Sequence, residues 1–239
     1  MAPPLAIILL NYRRPQNIGR IVGAARAACP AAPILLLDQA ETASLRHRDD
    51  IAWSEVWYRR ALENKGAGAR VPLAAQMPFD RYLAIDDDIF LSAEQLAALA
   101  KALDDEPDRM HGVAGQRLEY ADGELSLRAP INYVDAQVSL INQAYAFSRA
   151  QADAALGLAR RLGWERWSDI GPVDDMLLSC AAAKPALCHN LGPFERCASS
   201  DDPAVAVWRR EGFQQQRLEA ARRLVALQAI PVFTPLVVR

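Results

Sequence analysis

Three consecutive carboxylates, Asp86, Asp87 and Asp88, follow directly on the short apolar run Tyr82 to Ile85. Two such charges ~5 Å apart repel by ~3 kcal/mol at an effective dielectric of 20, so the triplet sits most easily beside a cation. Oxygen-only donors suit Mn2+ or Mg2+, whose remaining positions go to water and substrate phosphates. A bare run of acids can also be a solvated turn; its place at the end of a buried strand favours the cation site. A second acidic pair, Asp174 and Asp175, opens an apolar segment after Gly171-Pro172. Carboxylates in a first helical turn are favoured by the helix dipole by ~0.3–1 kcal/mol. The same place lets one face a pocket as base or electrostatic stabiliser. Spacing alone leaves both readings open.

Asn64-Lys65-Gly66-Ala67-Gly68-Ala69-Arg70 combines glycines, which let backbone approach a ligand closely, with two cations able to pair with phosphate oxygens. It lacks the G-K-[ST] of a P-loop, and a flexible surface loop is the alternative. Trp208-Arg209-Arg210-Glu211 precedes the last helical segment, where an arginine could neutralise a leaving diphosphate or simply begin an exposed basic helix. His47 and His111 lie in polar segments read as exposed. His189 follows a short strand, Ala186 to Cys188, and is weighed as a metal ligand against a partly buried structural role. Cys180 and Cys188 with His189 lack a C-x-x-C partner and are read as buried thiols rather than zinc ligands.

The elements that must position these groups alternate. Leu5 to Leu10 reads as a buried strand, Pro15 as the start of a helix with Ile18, Ile21, Val22 and Ala25 on one face, and Ile34 to Leu37 as a second strand ending at Asp38. Such a unit implies a parallel sheet covered on both faces. After the triplet, Ser92 and Gln95 form a capping-box pair ahead of Leu96, Leu99 and Leu103. Further strands are expected over 113–118 and 137–147, and helices over 151–162, 173–183 and 214–228. The last of these is expected to bury Leu218, Ala221, Val225 and Leu227. The whole is an α/β protein with a mostly parallel central sheet and helices on both faces. Ligands bind such sheets at the carboxyl ends of strands, where Asn11, Asp38 and the triplet converge.

Composition bounds the rest. The 239 residues are 51% hydrophobic and 23% charged with a net charge of −2, which argues against a dedicated nucleic-acid binder. No apolar run reaches the ~20 residues of a membrane span, and the amino terminus lacks the features of a secretory signal. A single domain over 1–239 is expected, with a nucleotide-binding half (1–104) ending in the acidic triplet and an acceptor and catalytic half (105–239). The expected setting is the cytoplasm, free or peripheral at a membrane.

In order and spacing these segments resemble a GT-A-type nucleotide-diphospho-sugar transferase, and more narrowly the exostosin-like transferase domain, glycosyltransferase family 64. The resemblance rests on N-Y-R-R-P at 11–15, N-K-G-A-G-A-R at 64–70, Y-L-A-I-D-D-D-I-F-L-S at 82–92, the acidic pair before an apolar helix at 174–178, and W-R-R with Arg217 and Leu224 at 208–224. It implies metal-dependent transfer of a sugar from a UDP-sugar to an acceptor hydroxyl with retention of configuration, using Mn2+ or Mg2+. It implies Tyr12 and Arg13 by the uridine, Asp38 near the nucleoside, and Asn64 and Arg70 toward the nucleotide. Asp88 is implied as the direct metal ligand, with Asp86 and Asp87 on ribose, sugar or metal-bound water. Asp175 is implied as the carboxylate near the anomeric carbon and Arg210 as the partner of the leaving diphosphate. Tyr133 to Phe147 is expected to line the donor sugar, with Asn142 a candidate. The acceptor expected is a bacterial-type glycan or a small molecule, in departure from the animal members of the family, whose membrane anchor the sequence lacks. The competing readings are an inverting GT-A transferase, separated by product stereochemistry; a nucleotidyltransferase, which would release pyrophosphate; and a non-catalytic nucleotide- or glycan-binding module, which would show no donor hydrolysis.

Overall fold

The computed structural model describes residues 4–40, Leu45 and 48–233; His47 lies outside them. Strand β1 (Leu5–Asn11) is the first apolar run, and its period of two feeds two cores. Ala6, Ile8 and Leu10 face one, Ile7 and Leu9 the other. Pro15 opens α1 (Pro15–Ala28), and the chain returns as β2 (Ile34–Asp38) and β3 (Val56–Arg60), each parallel to its neighbour. A 3-10 turn over Ala67–Ala69 leads into α2 (Arg70–Gln76), after which β4 (Arg81–Ile85) pairs parallel on the other side of β1. Strand β5 (Ile89–Phe90) leaves the triplet, and α3 (Ala93–Asp105) starts at the expected Ser92–Gln95 capping box and buries Leu96, Leu99, Ala100 and Leu103.

The second half is less regular. It runs β6 (His111–Gln116), the hairpin β7 (Leu118–Ala121) and β8 (Glu124–Leu127), then β9 (Ile131–Asn132), β10 (Ala136–Val138) and β11 (Leu140–Ser148). Helix α4 (Arg149–Arg161) begins at a second capping box, Ser148–Gln151, followed by α5 (Trp167–Ile170), α6 (Asp174–Cys180), β12 (Ala186–Cys188), β13 (Glu195–Arg196), α7 (Phe213–Ala226) and β14 (Val232–Phe233). The nine-stranded sheet has the order β10-β12-β6-β11-β4-β1-β2-β3, with β9 on β6. The β3-β2-β1-β4 half is parallel; β11 enters antiparallel to both β4 and β6.

Three expectations need correction. The segment 137–147 is two strands, β10 and β11, broken at Ser139. His111 is buried within β6; its Nε2 bonds the Glu106 carbonyl and its Nδ1 lies 2.9 Å from His189 Nε2. Helix α7 buries Arg217, Ala220, Ala221 and Leu224, so its inner face is rotated from the apolar stripe expected, because Arg217 is drawn inward by a carboxylate.

Asp38 ties the carboxyl ends of the first three strands together. Its Oδ1 accepts from Asn11 Nδ2 at 2.7 Å and from Ala40 N at 3.2 Å, and its Oδ2 from Tyr58 Oη at 2.9 Å. Removing it strands buried donors at an edge with no exposure of its own. Asp38→Ala is expected to lose roughly 2–3 kcal/mol of stability, read as a lower denaturation midpoint at unchanged m-value; an unshifted midpoint would contradict this account.

Candidate functional site

Beyond β1 lie β2 and β3; beyond β4 lie β11 and β6. The order of strands therefore reverses between β1 and β4, and the crevice outside their carboxyl ends is where open α/β sheets take ligands. Asn11 closes β1 there and the acidic triplet follows β4.

Asp87 spans this crevice internally. Its Oδ2 accepts from Tyr12 N at 3.0 Å, its Oδ1 from Arg14 Nη1 at 2.8 Å, and its carbonyl from Asn17 Nδ2 at 2.8 Å. Arg14 is buried, donates from Nε and Nη2 to the hydroxyl and carbonyl of Ser199, and brings Nη2 within 3.3 Å of Asp88 Oδ2. Burial pushes the Asp87 carboxyl above its ordinary value, while Arg14 and the Tyr12 amide pull it down. A protein cation thus relieves part of the charge of the triplet. The Asp88 carbonyl is clamped by Cys197 N at 2.8 Å and Ser200 Oγ at 3.2 Å, which carries the 195–200 segment up to the crevice.

Arg70 faces the crevice from the other side. Asn64 Oδ1 accepts from Gly66 N at 2.8 Å, and Gly66 holds φ +66°. Gly68 packs so closely that a side chain there would meet Gly171 N at 2.8 Å. The glycines of 64–70 are therefore spent on packing against the segment before α6. That contact delivers the Arg70 guanidinium between Asp86 and Asp174. Nη2 pairs with Asp86 Oδ1; Nη1 lies 3.1 Å from Tyr145 Oη and 3.5 Å from Asp174 Oδ2. Tyr145 Oη in turn donates to Asp174 Oδ2 at 3.1 Å. Burial raises the Asp86 carboxyl to about 7 and the Asp174 carboxyl to about 6, with Arg70 acting against both rises. Arg70 Nε and Asn11 Oδ1 are buried with no partner.

Asp175 lies in the first turn of α6, as expected, and is held in an ion pair. Both its oxygens are taken by Arg217, Oδ1 from Nη1 at 2.8 Å and Oδ2 from Nη2 at 2.9 Å, with Met176 N also on Oδ1. Arg217 further donates to the Pro172 carbonyl at 2.8 Å. The pair fixes the start of α6 and leaves Asp174 to face Arg70. Separate roles are expected of Asp175 and Arg210; in the structure Asp175 is paired with Arg217, and Arg210 is exposed after the 3-10 turn Val207–Arg209. The signal that could have found Arg217 is its place at 217, 220/221, 224, on the inner stripe of α7. Tyr12 and Arg13 lie together at the crevice mouth, the guanidinium 4.8 Å from the ring, and Arg13 Nη1 donates to the Ala204 carbonyl at 3.1 Å. Asp38 and Asn64 make their hydrogen bonds to groups inside the fold. Tyr145 was not singled out from the sequence, because a lone tyrosine in an apolar strand carries no motif.

No family model matches the chain, and no curated protein matches it in sequence. Solved structures do. It superposes on GalNAc-T7, solved with UDP, GalNAc and Mn2+, with a TM-score of 0.58 at 12% identity over 94% of this chain and 48% of that one. It superposes on residues 1–349 of S. aureus TarS with a TM-score of 0.53 at 14% identity over 93% of this chain and 72% of that one. This chain therefore has the GT-A fold and spans about half the length of the GalNAc-T7 chain it matches.

Two expectations follow. Arg217→Ala, which leaves Asp175 buried and unpaired, is expected to cost about 3–5 kcal/mol. Arg210→Ala, at an exposed position, should stay within about 0.5 kcal/mol of the parent; equal losses in parallel denaturant titrations would refute the assignment of the partner. Asp174 has its folded pKa raised, from 3.8 to about 6. The folded state then binds the extra proton between these values, so stability falls as pH rises through that window. In Asp174→Asn the fall of the melting temperature between about pH 4 and 6 should be shallower, and an unchanged slope would exclude this carboxyl as its source.

Proposed function

We propose that the chain is a glycosyltransferase that moves a sugar from a UDP-sugar to a hydroxyl of a glycan or small-molecule acceptor, with retention of configuration as in the exostosin-like family it resembles. The observation that carries this reading is Arg70 between Asp86 and Asp174 at the switch crevice, a buried guanidinium with one N–H still unpartnered. The likeness to a fold solved with UDP, GalNAc and Mn2+ supports it.

Among the described residues no group of three or more His, Cys, Asp or Glu could hold a metal ion by itself. The triplet still fits Mn2+ or Mg2+ bound jointly with a diphosphate. The Asp87 side chain is consumed internally at 9% exposure, whereas Asp88 and Asp86 keep open sides at 19% and 31%. One or two carboxylates with phosphates and water make the usual donor set for such ions. When bound, the cation supplies neutralisation of the charge that develops on the diphosphate.

The chain's own residues then divide the work. Asp88 is proposed as the metal ligand, with Asp86 beside it. Arg70 is proposed on the nucleotide side, where it holds Asp86 and Asp174 in place. Asp174, with Tyr145 on one oxygen, is proposed as the carboxylate that faces the reacting carbon and stabilises positive charge there. Asp175 and Arg217 position it. Tyr12 and Arg13 are proposed at the base, and Arg210 at the departing diphosphate. Asp38 and Asn64 act at one remove, by shaping the strand ends. The four cysteines are free thiols, which suits the cytoplasmic setting proposed. No described helix is long and apolar enough to cross a membrane.

Calorimetric titration of UDP with and without Mn2+, into the parent and Asp88→Ala, tests the reading. Metal-dependent binding that falls at least about tenfold in the variant is expected. Absence of UDP binding under both conditions would overturn the UDP-sugar assignment.

A further inference from the structure

His111 and His189 meet inside the sheet, one at the start of β6 and the other directly after β12, on the side of β11 away from β4. Their facing nitrogens are 2.9 Å apart and their planes are inclined by 24°. The ring centroids, at 5.2 Å, are farther apart than the nitrogens by about the width of one ring. The rings therefore meet edge to edge, and the hydrogen bond between them is well aligned.

The partners decide which nitrogen carries each proton. His111 Nε2 lies 2.9 Å from the Glu106 carbonyl, which only accepts, so the His111 proton is on Nε2. Its Nδ1 is then a bare acceptor, and His189 donates to it from Nε2. That leaves His189 Nδ1 without a proton in the neutral pair, facing Asp135 Oδ1 at 3.8 Å. The His189 side chain is 18% exposed and that of Asp135 72%, so water reaches this end, whereas His111 is closed off. A proton from solvent enters at His189 Nδ1 without breaking a hydrogen bond, and it turns the approach of Asp135 into an ion pair. A further proton has only His111 Nδ1 to occupy, and there it breaks the bond between the rings.

The other charges around the pair are matched. At the end of α3, Glu106 is paired with Arg109 at 3.2 Å and with Lys184 at 3.8 Å, and Asp108 with Lys184 at 2.8 Å. The Cys188 thiol bonds the Ile131 carbonyl and is pushed by burial up to about 11, so it stays neutral. Asp135 is thus the carboxylate set against His189, and the Asn190 amide donates to its Oδ1 at 3.1 Å. Burial holds both imidazoles below their ordinary value; at His189 the neighbouring ring adds to this and Asp135 opposes it.

The chain that leaves His189 runs to the acidic triplet. His189 N donates to the Gly112 carbonyl at 2.8 Å, Phe194 packs on Tyr133 two residues before Asp135, and Cys197 N holds the Asp88 carbonyl. A proton on His189 tightens the near end of a segment whose far end is fixed on the triplet.

We infer that His111, His189 and Asp135 form a latch worked by two protons: the first, on His189 Nδ1, draws Asp135 onto the end of β12, and the second, on His111 Nδ1, parts the two rings. The latch stands apart from the transferase reading, and its test uses no nucleotide. With both folded values below the ordinary ~6.5, the unfolded chain takes up these protons first. The stability of the neutral pair is then complete above about pH 6.5 and is lost as pH falls, and Asp135 limits the loss by favouring charged His189.

The imidazole nitrogens of the whole chain are followed by NMR from about pH 8 to 5, in the parent, Asp135→Asn and His189→Gln, the last assigning the His189 signals. At the alkaline end both rings are expected to carry their proton on Nε2. Asp135→Asn keeps an oxygen for Asn190 N and removes only the charge, so the His189 midpoint is expected to fall by about half a pH unit or more. Exchange of the Asn190 amide, corrected for its intrinsic pH dependence, should slow at least about twofold as His189 charges in the parent and stay level in Asp135→Asn. Below about pH 6.5 the melting temperature should fall more steeply in that variant than in the parent. A proton on Nδ1 of either ring at the alkaline end, an unmoved midpoint, Asn190 exchange alike in parent and variant, or equal slopes of melting temperature would each overturn the inference.

Discussion

The buried ion pair between Arg14 and Asp87 governs the crevice. It crosses from the turn after β1 to the end of β4, the two strands between which the sheet reverses its order, and the Tyr12 amide and the Asn17 side chain reinforce it. A charged pair at this depth contributes little net stability compared with an apolar packing, but breaking one half of it is costly. Its effect is geometric: the two strand ends are held at one separation. One consequence is a division of labour in the triplet, in which the middle acid is consumed so that its two neighbours keep open sides. A run of three acids that looks redundant in sequence is a brace flanked by two partly exposed carboxylates.

Arg70 does the equivalent work between the two halves of the chain. It stands at the start of a short helix in the first half and reaches carboxylates that follow β4 and open α6. Two acids in a low-dielectric site favour neutral forms, and a single guanidinium between them holds the site near the balance point. Such shared pairing is common where protonation has a chemical task, although structural networks can produce it too.

The parallel half of the fold was legible in the sequence because its strands are continuous apolar runs closed by polar residues, and because Pro15 and the Ser92–Gln95 pair mark helix starts chemically. The second capping box, Ser148–Gln151, carried the same signature and passed unremarked. Strand β3 was missed because Val56-Trp57-Tyr58-Arg59-Arg60 at the sheet edge is half exposed and shows no buried run. The bulge in β11 was missed because Gln143 is an ordinary polar residue whose strain appears only in three dimensions. The convergence of Asn11, Asp38 and the triplet at the strand ends was readable from the sequence. The pairings within it were not: Asp174 and Asp175 are neighbours in sequence, and only the packing of α7 shows that Arg217 takes one and leaves the other to Arg70. A stripe expected to be apolar gave way to a buried arginine because a bidentate carboxylate partner outweighed the hydrophobic pattern.

Gly68 and Gly171 touch backbone to backbone, just before the elements that carry Arg70 and Asp174. Distances set by interlocking side chains drift as those side chains are exchanged over evolutionary time. A distance set by two main chains in contact has no such freedom, since a side chain at Gly68 could enter only by pushing Gly171 away. The spacing between the two acidic groups and their shared guanidinium is thereby insulated from change in the surrounding core, and this contact acts as a fixed gauge around which the rest of the interior is free to vary.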